Sequence, residues 1–232
     1  MKTLGLIGGM SWESTSEYYR IINQVAREKL GLARSCRSII YSFDFAEISD
    51  LQHSGDWETL TKKMVDIAVL LEKAGADLVL ICTNTMHVMA GEVQEAIGVP
   101  LFHIADALAM EIKEKGMDKV GLLGTRFTME KEFYSKRLKE KHGIKTIIPS
   151  EKDRDIVHNV IYNELISGKF LEKSAEEFLK VIAKFKNNGA QGVILGCTEI
   201  PLLLKDVKTP LPLFDTTRIH AQKAVELSLE ES

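Results

Sequence analysis

Short apolar runs alternate with longer amphipathic stretches along this chain. The runs, such as Leu4–Gly8 and residues 78–82, are four to six residues long and lack alternating polar positions. That pattern is typical of strands buried on both faces of a parallel sheet. Because stretches of helical period lie between the runs, the order strand, helix, strand predicts an α/β fold with right-handed crossovers and a doubly wound parallel sheet.

The amphipathic stretches predict helices with approximate bounds. The helix over 14–30 is expected to open with a capping box, because Glu17 follows Ser14 by three residues. The helix over 57–73 ends at Gly75, and a last helix near 216–229 is expected to cross back onto the first half of the chain. One stripe of the helix over 57–73 carries Leu60, Met64, Ile67, Leu70 and Leu71, and one stripe of a helix over 175–185 carries Phe178, Val181, Ile182 and Phe185.

The chain also repeats itself. Three segments recur in the same order: LGLIG at 4–8 as VGLLG at 120–124, GADLVLICT at 75–83 as GAQGVILGC at 189–197, and PLF at 100–102 again at 212–214. The offsets are 116, 114 and 112 residues, so the two copies align with only small gaps. Two homologous halves are therefore predicted: a first domain of 1–104 plus 212–232, and a second of 105–211.

Composition excludes several classes of partner. The 30 Lys and Arg against 33 Asp and Glu give a net charge of −3, which leaves no basic excess for nucleic acid. No apolar run approaches the roughly 20 residues of a membrane span, and the start of the chain lacks a secretory signal, so a cytoplasmic location is expected. The three cysteines are far apart and the six histidines lack metal-ligand spacing, which predicts free thiols and no metal.

Candidate ligand residues follow the apolar runs, since ligands of open α/β sheets bind beyond the carboxyl ends of the strands. These positions carry small and hydroxyl residues that suit a carboxylate or another small anion: 8–11 with Met10, 83–85, 124–125 with Thr125, and 197–199. The glycines at 5, 8 and 9 do not have the G-x-G-x-x-G spacing of a dinucleotide site. They are expected to allow a tight turn from strand to helix.

The repeat aligns Thr83 with Cys197, which sets a hydroxyl against a thiol. Two acid/base groups that address opposite faces of one carbon can invert a stereocentre, because one removes a proton while the other delivers one. We expect Cys197 to lie at a helix start, with Pro201 in the first turn, where its pKa would be lowered towards a thiolate. Cys36 and Cys82 are expected to be buried apolar side chains.

Preorganised donors must hold the substrate carboxylate while the carbanion forms. Four residues beside the aligned pair are candidates: Asn84, Thr85, Thr125 and Thr198. Thr85 and Thr198 could equally be helix caps.

Four motifs carry a family resemblance along essentially the whole chain: GGMSWEST at 8–15, TNTMH at 83–87, LGT at 123–125 and GCTEIP at 196–201. With them the chain resembles the aspartate/glutamate racemase superfamily. The resemblance implies two Rossmann-like domains with parallel sheets, related by a pseudo-twofold, with the active site in the cleft between them. It also implies a homodimer that racemises amino acids without pyridoxal phosphate or metal, using two cysteines as acid and base.

In this chain the resemblance implies Cys197 as one catalytic residue and Thr83 in place of the other. The substrate-contacting positions that match are Met10, Asn84, Thr85, Thr125, Thr198 and Glu199. With its threonine/cysteine pair the chain resembles a subgroup of L-aspartate/glutamate-specific or broad-specificity racemases. Gln52 also matches a substrate-contacting position of that subgroup. Strict aspartate racemases tend to offer an arginine from the segment after the second strand, whereas residues 44–57 contain no Lys or Arg.

The expected function is therefore cofactor-independent interconversion of L- and D-amino acids, slowed by the weak acid Thr83. Glu199 would oppose thiolate formation unless it binds the substrate ammonium, which is the expectation here. His87 is expected to be a structural, partly buried histidine, although it could polarise the site. The alternatives are hydantoin racemisation, maleate isomerisation, arylmalonate decarboxylation, or amino-acid binding without catalysis.

Overall fold

A computed structural model describes residues 1–230 of the chain. The chain divides into two compact units, one formed by Met1–Ala107 with the segment from Thr217 onward, and the other by Leu108–Thr216. The sequence-based division placed the two boundaries at 104 and 211, three and five residues earlier. Residues 231 and 232, the last two of the chain, lie outside the described residues.

Both units alternate strands and helices. The first holds β1 (Leu4–Gly8), α1 (Trp12–Leu30), β2 (Ser38–Ser42), α2 (Phe45–Ser54), α3 (Trp57–Lys73), β3 (Leu78–Ile81), a 3-10 turn (Thr85–Met89) and α4 (Ala90–Ala96), and α5 (Ile104–Glu114) runs from it into the second. The second holds β4 (Lys119–Leu123), α6 (Arg126–Glu130), α7 (Glu132–His142), β5 (Lys145–Ile147), α8 (Glu151–Asn163), a 3-10 turn (Leu165–Ser167), α9 (Glu172–Asn187), β6 (Gly192–Leu195), α10 (Ile200–Leu203) and β7 (Leu213–Asp215). The last helix is α11 (Thr216–Leu229).

Each unit contains one parallel sheet, which confirms the predicted fold class. The strand order is β2-β1-β3 in the first sheet and β5-β4-β6-β7 in the second. A single parallel bridge from Val79 to Leu101 extends the first sheet beyond β3, at the position that β7 occupies beside β6. Every residue of β1, β3 and β6 is buried, as expected of strands covered on both faces.

Three predicted helices match the structure closely. The bounds of α3 and α11 are as predicted, and α9 extends the predicted 175–185 by one turn or less at each end. All four predicted stripe residues of α9 are buried. The stripe of α3 is narrower than predicted, because Leu70 is 49% exposed and Ala68 is buried instead. From α11, Ala221, Ala224 and Val225 join the buried cluster that includes Leu4 and Leu6, so this helix does pack back onto the first unit.

The predicted start of α1 is wrong. Ser11, not Ser14, is the N-cap, and its side chain accepts from the Ser14 N–H at 3.4 Å. The helix therefore begins at Trp12, and Glu17 pairs with Arg20 instead of closing a capping box. The tight turn before it depends on Gly9, whose φ is +83° and whose added Cβ would lie 2.2 Å from the Phe43 backbone.

Candidate active site

The turns that follow β4 and β6 pack against each other in the second unit. The Gly196 N–H donates to the Leu123 carbonyl at 2.6 Å, and a Cβ on Gly196 would lie 3.0 Å from that same oxygen. Because these strands are neighbours in the sheet, Thr125 and Cys197 follow adjacent strand ends. The second unit thus brings these two predicted site residues to one edge of its sheet.

Cys197 is half-buried and carries its proton. Its Sγ–H donates to Oε2 of Glu199 at 2.9 Å. Burial raises the pKa of the thiol well above its ordinary value, and the negative charge and hydrogen bond of Glu199 raise it further. Backbone N–H groups of Thr198 and Glu199 lower it, but less. The expected lowering towards a thiolate is therefore wrong for the free protein.

The shortness of the helix after Cys197 explains why the helix dipole does not lower the pKa of this thiol as expected. Although Pro201 does lie in the first turn of α10, this helix has only four residues. Glu199 occupies the cap position without a side-chain cap bond, and its carboxylate reaches the sulfur instead. Thr198 is therefore not the N-cap of α10, which was one of the two roles expected for it.

Thr83 follows β3 and is held through its main chain. Its carbonyl accepts a hydrogen bond from Nδ1 of His87 at 2.8 Å. The next residue, Asn84, is 4% exposed and precedes the 3-10 turn without a side-chain cap bond, so Thr85 is not a cap either. Cys82 in the strand end is fully buried, as predicted, and burial raises the pKa of its thiol.

Cys36 also follows its prediction. Its side chain is 6% exposed, and burial raises the pKa of its thiol to about 11. Neither Cys36 nor Cys82 is therefore available as a proton acceptor near neutral pH, which leaves Cys197 as the partly exposed thiol.

Two further predicted residues of the first unit are associated with Met86, which lies in the turn after Thr83. Gln52 on α2 donates from Nε2 to Sδ of Met86 at 3.2 Å. Met10, which follows β1, is 8% exposed and shares a buried apolar cluster with Met86. Gln52 thus contacts the turn that follows Thr83, and Met10 belongs to the same apolar cluster as the methionine that Gln52 binds.

Thr125 has a structural role in the second unit. It is the N-cap of α6, and its hydroxyl accepts from the Thr128 N–H at 3.4 Å. The next residue, Arg126, pairs with Asp155 of α8 and, at 3.5 Å, with Glu130. A guanidinium beside this strand end is therefore already bound by two carboxylates.

Two residues of α8 were not predicted from the sequence as candidate site residues. Burial raises the pKa of Tyr162, and an electrostatic interaction with Cys197 raises it further. The ring of His158 lies 4.5 Å from that of Tyr162, and its Nδ1 accepts from the Arg126 N–H at 3.4 Å. Both residues lie within α8 and not after a strand, so only their spacing of four on one helix face could have pointed to them.

A buried histidine cluster lies behind Thr83. The ring of His87 is 4.6 Å from His103 and 5.7 Å from His220. His220 donates from Nε2 to the Phe102 carbonyl at 2.8 Å, and its Nδ1 accepts from the Tyr18 hydroxyl at 2.8 Å. Burial lowers the pKa of His220 to about 4 and lowers that of His87 as well.

These contacts assign the histidines to structure. Both ring nitrogens of His87 and of His220 are engaged with protein groups, so neither ring offers a lone pair to a metal. Among residues 1–230, no group of three or more His, Cys, Asp or Glu side chains is arranged to hold a metal ion. The same described range contains no helix with the length and apolar character that a membrane crossing requires.

Comparison with known proteins gives consistent matches along the chain. A family model described as Asp/Glu/Hydantoin racemase matches residues 7–224. The broad specificity amino-acid racemase RacX of Bacillus subtilis (strain 168) is 25% identical over 229 residues, which are 97% of this chain and 98% of RacX.

Two solved structures are similar over their whole length. An aspartate racemase homologue from Pyrococcus horikoshii OT3 is 37% identical, with a TM-score of 0.88 and coverage of 99% of this chain and 100% of that one. A protein from Yersinia pestis, provisionally assigned to the Asp/Glu racemases, is 51% identical, with a TM-score of 0.95 and the same coverage.

Proposed function

Because the chain belongs to the Asp/Glu/hydantoin racemase family, we propose that it is an amino-acid racemase that interconverts L- and D-enantiomers without a cofactor. The observation that carries the proposal is the thiol of Cys197, hydrogen-bonded to Glu199, at the position that the internal repeat aligns with Thr83. The names of RacX and of the Pyrococcus horikoshii homologue support the same activity.

In this proposal Cys197 and Thr83 act on opposite faces of one α-carbon. The α C–H bond breaks as one group takes the proton, and the electron pair moves into the substrate carboxylate. The other group then delivers a proton to the opposite face. Asn84, Thr85 and Thr198 are the proposed donors to the carboxylate, where negative charge accumulates in the transition state.

The Cys197 and Glu199 side chains share one proton and one negative charge. In the free protein the proton is on sulfur, so Cys197 is ready to deliver it. To accept a proton from substrate, the thiol must first lose its own, and the Glu199 oxygen at 2.9 Å is the available acceptor. A substrate ammonium near this pair would offset the carboxylate charge and favour the thiolate. Ammonium binding by Glu199 and activation of Cys197 would then be one event.

Thr83 makes the reaction asymmetric. A hydroxyl is a much weaker acid than a thiol, so Thr83 must act through a water or as a transient donor. Racemisation has an equilibrium constant of one, so kcat/KM must be equal in the two directions. Only kcat and KM separately can differ, and turnover is expected to be slow.

Heavy water provides the test of this scheme. When each enantiomer is incubated in it, exchange of the α-proton on the Cys197 face should be faster than inversion, because the proton on sulfur is replaced by solvent deuterium before Thr83 acts. Equal exchange and inversion from both enantiomers would mean that Thr83 is as competent as a thiol. Absence of both processes for every amino acid tried would refute the racemase proposal.

We further propose that acidic amino acids are not strongly preferred as substrates. The guanidinium of Arg126 lies beside the second-unit strand ends but is bound by Asp155 and Glu130, so its charge is largely neutralised. Gln52 instead offers a neutral amide. A chiral assay across common L-amino acids, including aspartate and glutamate, measures this preference and also separates amino-acid racemisation from hydantoin, maleate or arylmalonate chemistry.

One observation favours a second candidate function. Because a hydroxyl stands where the family resemblance implies a first cysteine, the chain could bind an amino acid without racemising it. Calorimetric binding without α-proton exchange, for either enantiomer, would support that function. Measurable exchange would exclude it.

Location and assembly complete the proposal. The three free cysteines support a reducing compartment, and we propose the cytoplasm. A homodimer is proposed from the family resemblance. Cell fractionation and analytical ultracentrifugation test these two statements.

A further inference from the structure

His87 makes two hydrogen bonds that fix its position and its tautomer. Its Nδ1 lies 2.8 Å from the Thr83 carbonyl oxygen, and its Nε2 lies 3.1 Å from the Ile104 N–H. A carbonyl can only accept and an amide N–H can only donate. Nδ1 must therefore carry the proton, and Nε2 must be bare.

The ring of His87 is itself held from several sides. It is 2% exposed and contacts the rings of His103 and His220. His220 is anchored to the Phe102 carbonyl and to the Tyr18 hydroxyl. The main chain at Thr83 is thereby tied to α1, to the start of α5 and to α11, all through buried contacts of the first unit.

The equivalent place in the second unit has no such anchor. The repeat aligns TNTMH at 83–87 with CTEIP at 197–201, so Pro201 stands where His87 does. Proline has neither a side-chain donor nor a backbone N–H. The second unit instead binds its reactive atom directly, through the carboxylate of Glu199.

We propose that His87 is a positioning residue that fixes the peptide of Thr83 and thereby aims its hydroxyl at the substrate; this inference rests on the proposed racemase function. A weak acid depends strongly on alignment, because proton transfer requires hydrogen-bond geometry between donor and acceptor carbon. Loss of the bond from His87 should therefore impair the Thr83 step and spare proton exchange on the Cys197 face.

Three substitutions at one position test the inference. His87→Phe keeps the ring but removes both hydrogen bonds. His87→Asn places an N–H near the position of Nδ1, whereas His87→Gln places its amide near Nε2. The measured quantity is the ratio of inversion to α-proton exchange in heavy water, for the enantiomer that exchanges faster.

The expected result is specific to one face. His87→Phe should lower inversion about tenfold while exchange changes by less than about twofold, as for a lost hydrogen bond to a positioned group. His87→Asn should recover several-fold of the lost inversion, and His87→Gln should recover less. If His87→Phe does not fold, the order of the Asn and Gln variants still decides the matter.

His103→Asn is the matched control, since His103 is equally buried at 4% exposure and contacts the same ring. It should lower thermal stability by a similar amount without shifting the ratio. A parallel fall of exchange and inversion in the His87 variants, an unchanged ratio, or Gln equal to or better than Asn would overturn the inference.

A measurement without substrate keeps this inference separate from the proposed function. Nitrogen-15 NMR should find the Nδ1–H tautomer of His87 at neutral pH, with slow exchange of that proton. Detection of the Nε2–H tautomer would overturn the positioning role even in an active enzyme. If the wild-type protein neither exchanges nor inverts any amino acid, the racemase proposal and this inference both fail.

Discussion

The strand ends that carry Thr83 and Cys197, called here the Thr83 end and the Cys197 end, occupy equivalent places in the two units but hold their proposed reactive groups differently. At the first, the neutral ring of His87 holds the main chain of Thr83. At the second, the charged Glu199 holds the sulfur atom itself. The two copies of the repeat therefore share a backbone but differ in the contacts around these residues. The contact at Thr83 fixes the position of the main chain, whereas the contact at Cys197 affects whether the thiol carries a proton.

The electrostatic surroundings follow the same division. Burial behind Thr83 lowers the pKa of His87 and His220, which keeps that end uncharged near neutral pH. Burial and, after it, the carboxylate of Glu199 raise the pKa of the Cys197 thiol, and this carboxylate brings a negative charge to the Cys197 end. A substrate ammonium should accordingly be attracted to the Cys197 end, and the hydroxyl of Thr83 should depend on alignment alone.

The largest expected effect distinguishes the two proposed catalytic residues. Cys197→Ala should abolish both exchange and inversion, a loss of at least about a thousandfold, because general acid–base groups contribute roughly that much. Thr83→Ala should abolish inversion but keep exchange on the Cys197 face. Proton NMR in heavy water measures exchange, and chiral chromatography measures inversion.

Circular dichroism would show that both of these variants are folded. An unchanged rate in Cys197→Ala would end the assignment of two bases. Loss of exchange in Thr83→Ala would show that the two ends do not work independently.

Acid should disrupt the Thr83 end before the Cys197 end. The pKa of His220 falls from 6.5 to about 4 on folding, chiefly by burial, with Asp106 acting in the opposite direction. Between these values the unfolded state binds more protons, so the stabilisation is complete above pH 6.5 and is lost as the pH falls towards about 4. The loss for His220 alone is about 3 kcal/mol, roughly a 300-fold change in the unfolding equilibrium, and His87 adds in the same direction.

Urea unfolding across this pH range measures how the free energy of unfolding changes with pH. Amide hydrogen exchange shows which residues lose protection. Amides near residues 83–87 should lose protection at a higher pH than those near 195–200. The variant His220→Asn should flatten the slope, whereas His53→Asn, at an exposed position on α2, should not. Equal loss of protection at both strand ends would remove this difference between the units.

Thr83→Cys makes the two reactive side chains alike. Because a thiol is a far stronger acid than a hydroxyl, inversion should rise about tenfold, and the ratio of inversion to exchange should approach one. Thr61→Cys, on α3 and not among the proposed site residues, is the control and should not raise turnover. A Thr83→Cys variant as slow as the wild type would mean that the hydroxyl is not the limiting group.

Sequence patterns predicted those parts of the fold that depend on local periodicity. The bounds of α3 and α11 follow from apolar spacing, with Asp56 as the side-chain cap of α3. The start of α1 could not be chosen in this way, because Ser11 and Ser14 are equally good caps. Tertiary contacts decide it: the Ser14 hydroxyl donates to the Cys82 carbonyl at 2.8 Å.

The candidate site also has features that the sequence pattern predicts and features that depend on tertiary contacts. The repeat predicted that Thr83 and Cys197 follow equivalent strands, because strand order is a property of the pattern. It could not predict the protonated thiol, since that depends on which way the Glu199 side chain turns. Nor could it predict the histidine cluster, whose members at 87, 103 and 220 meet only through folding.

The smallest expected effect tests the proton at the Cys197 end. Glu199→Gln removes the carboxylate charge but keeps the size of the side chain, so the pKa of Cys197 should fall, although burial, the largest cause of its elevation, remains. Alkylation by iodoacetamide at about pH 8 should become several-fold faster, because the thiolate is the reactive form. Glu177→Gln, on α9 and bound to Lys180 at 2.6 Å, is the matched control and should leave the rate unchanged. Cys36 and Cys82 should remain slow in every variant, since both are buried. A rate that does not rise in Glu199→Gln would show that burial alone keeps the thiol protonated, and the Cys197 end would then control its reactive group by position, as the Thr83 end does.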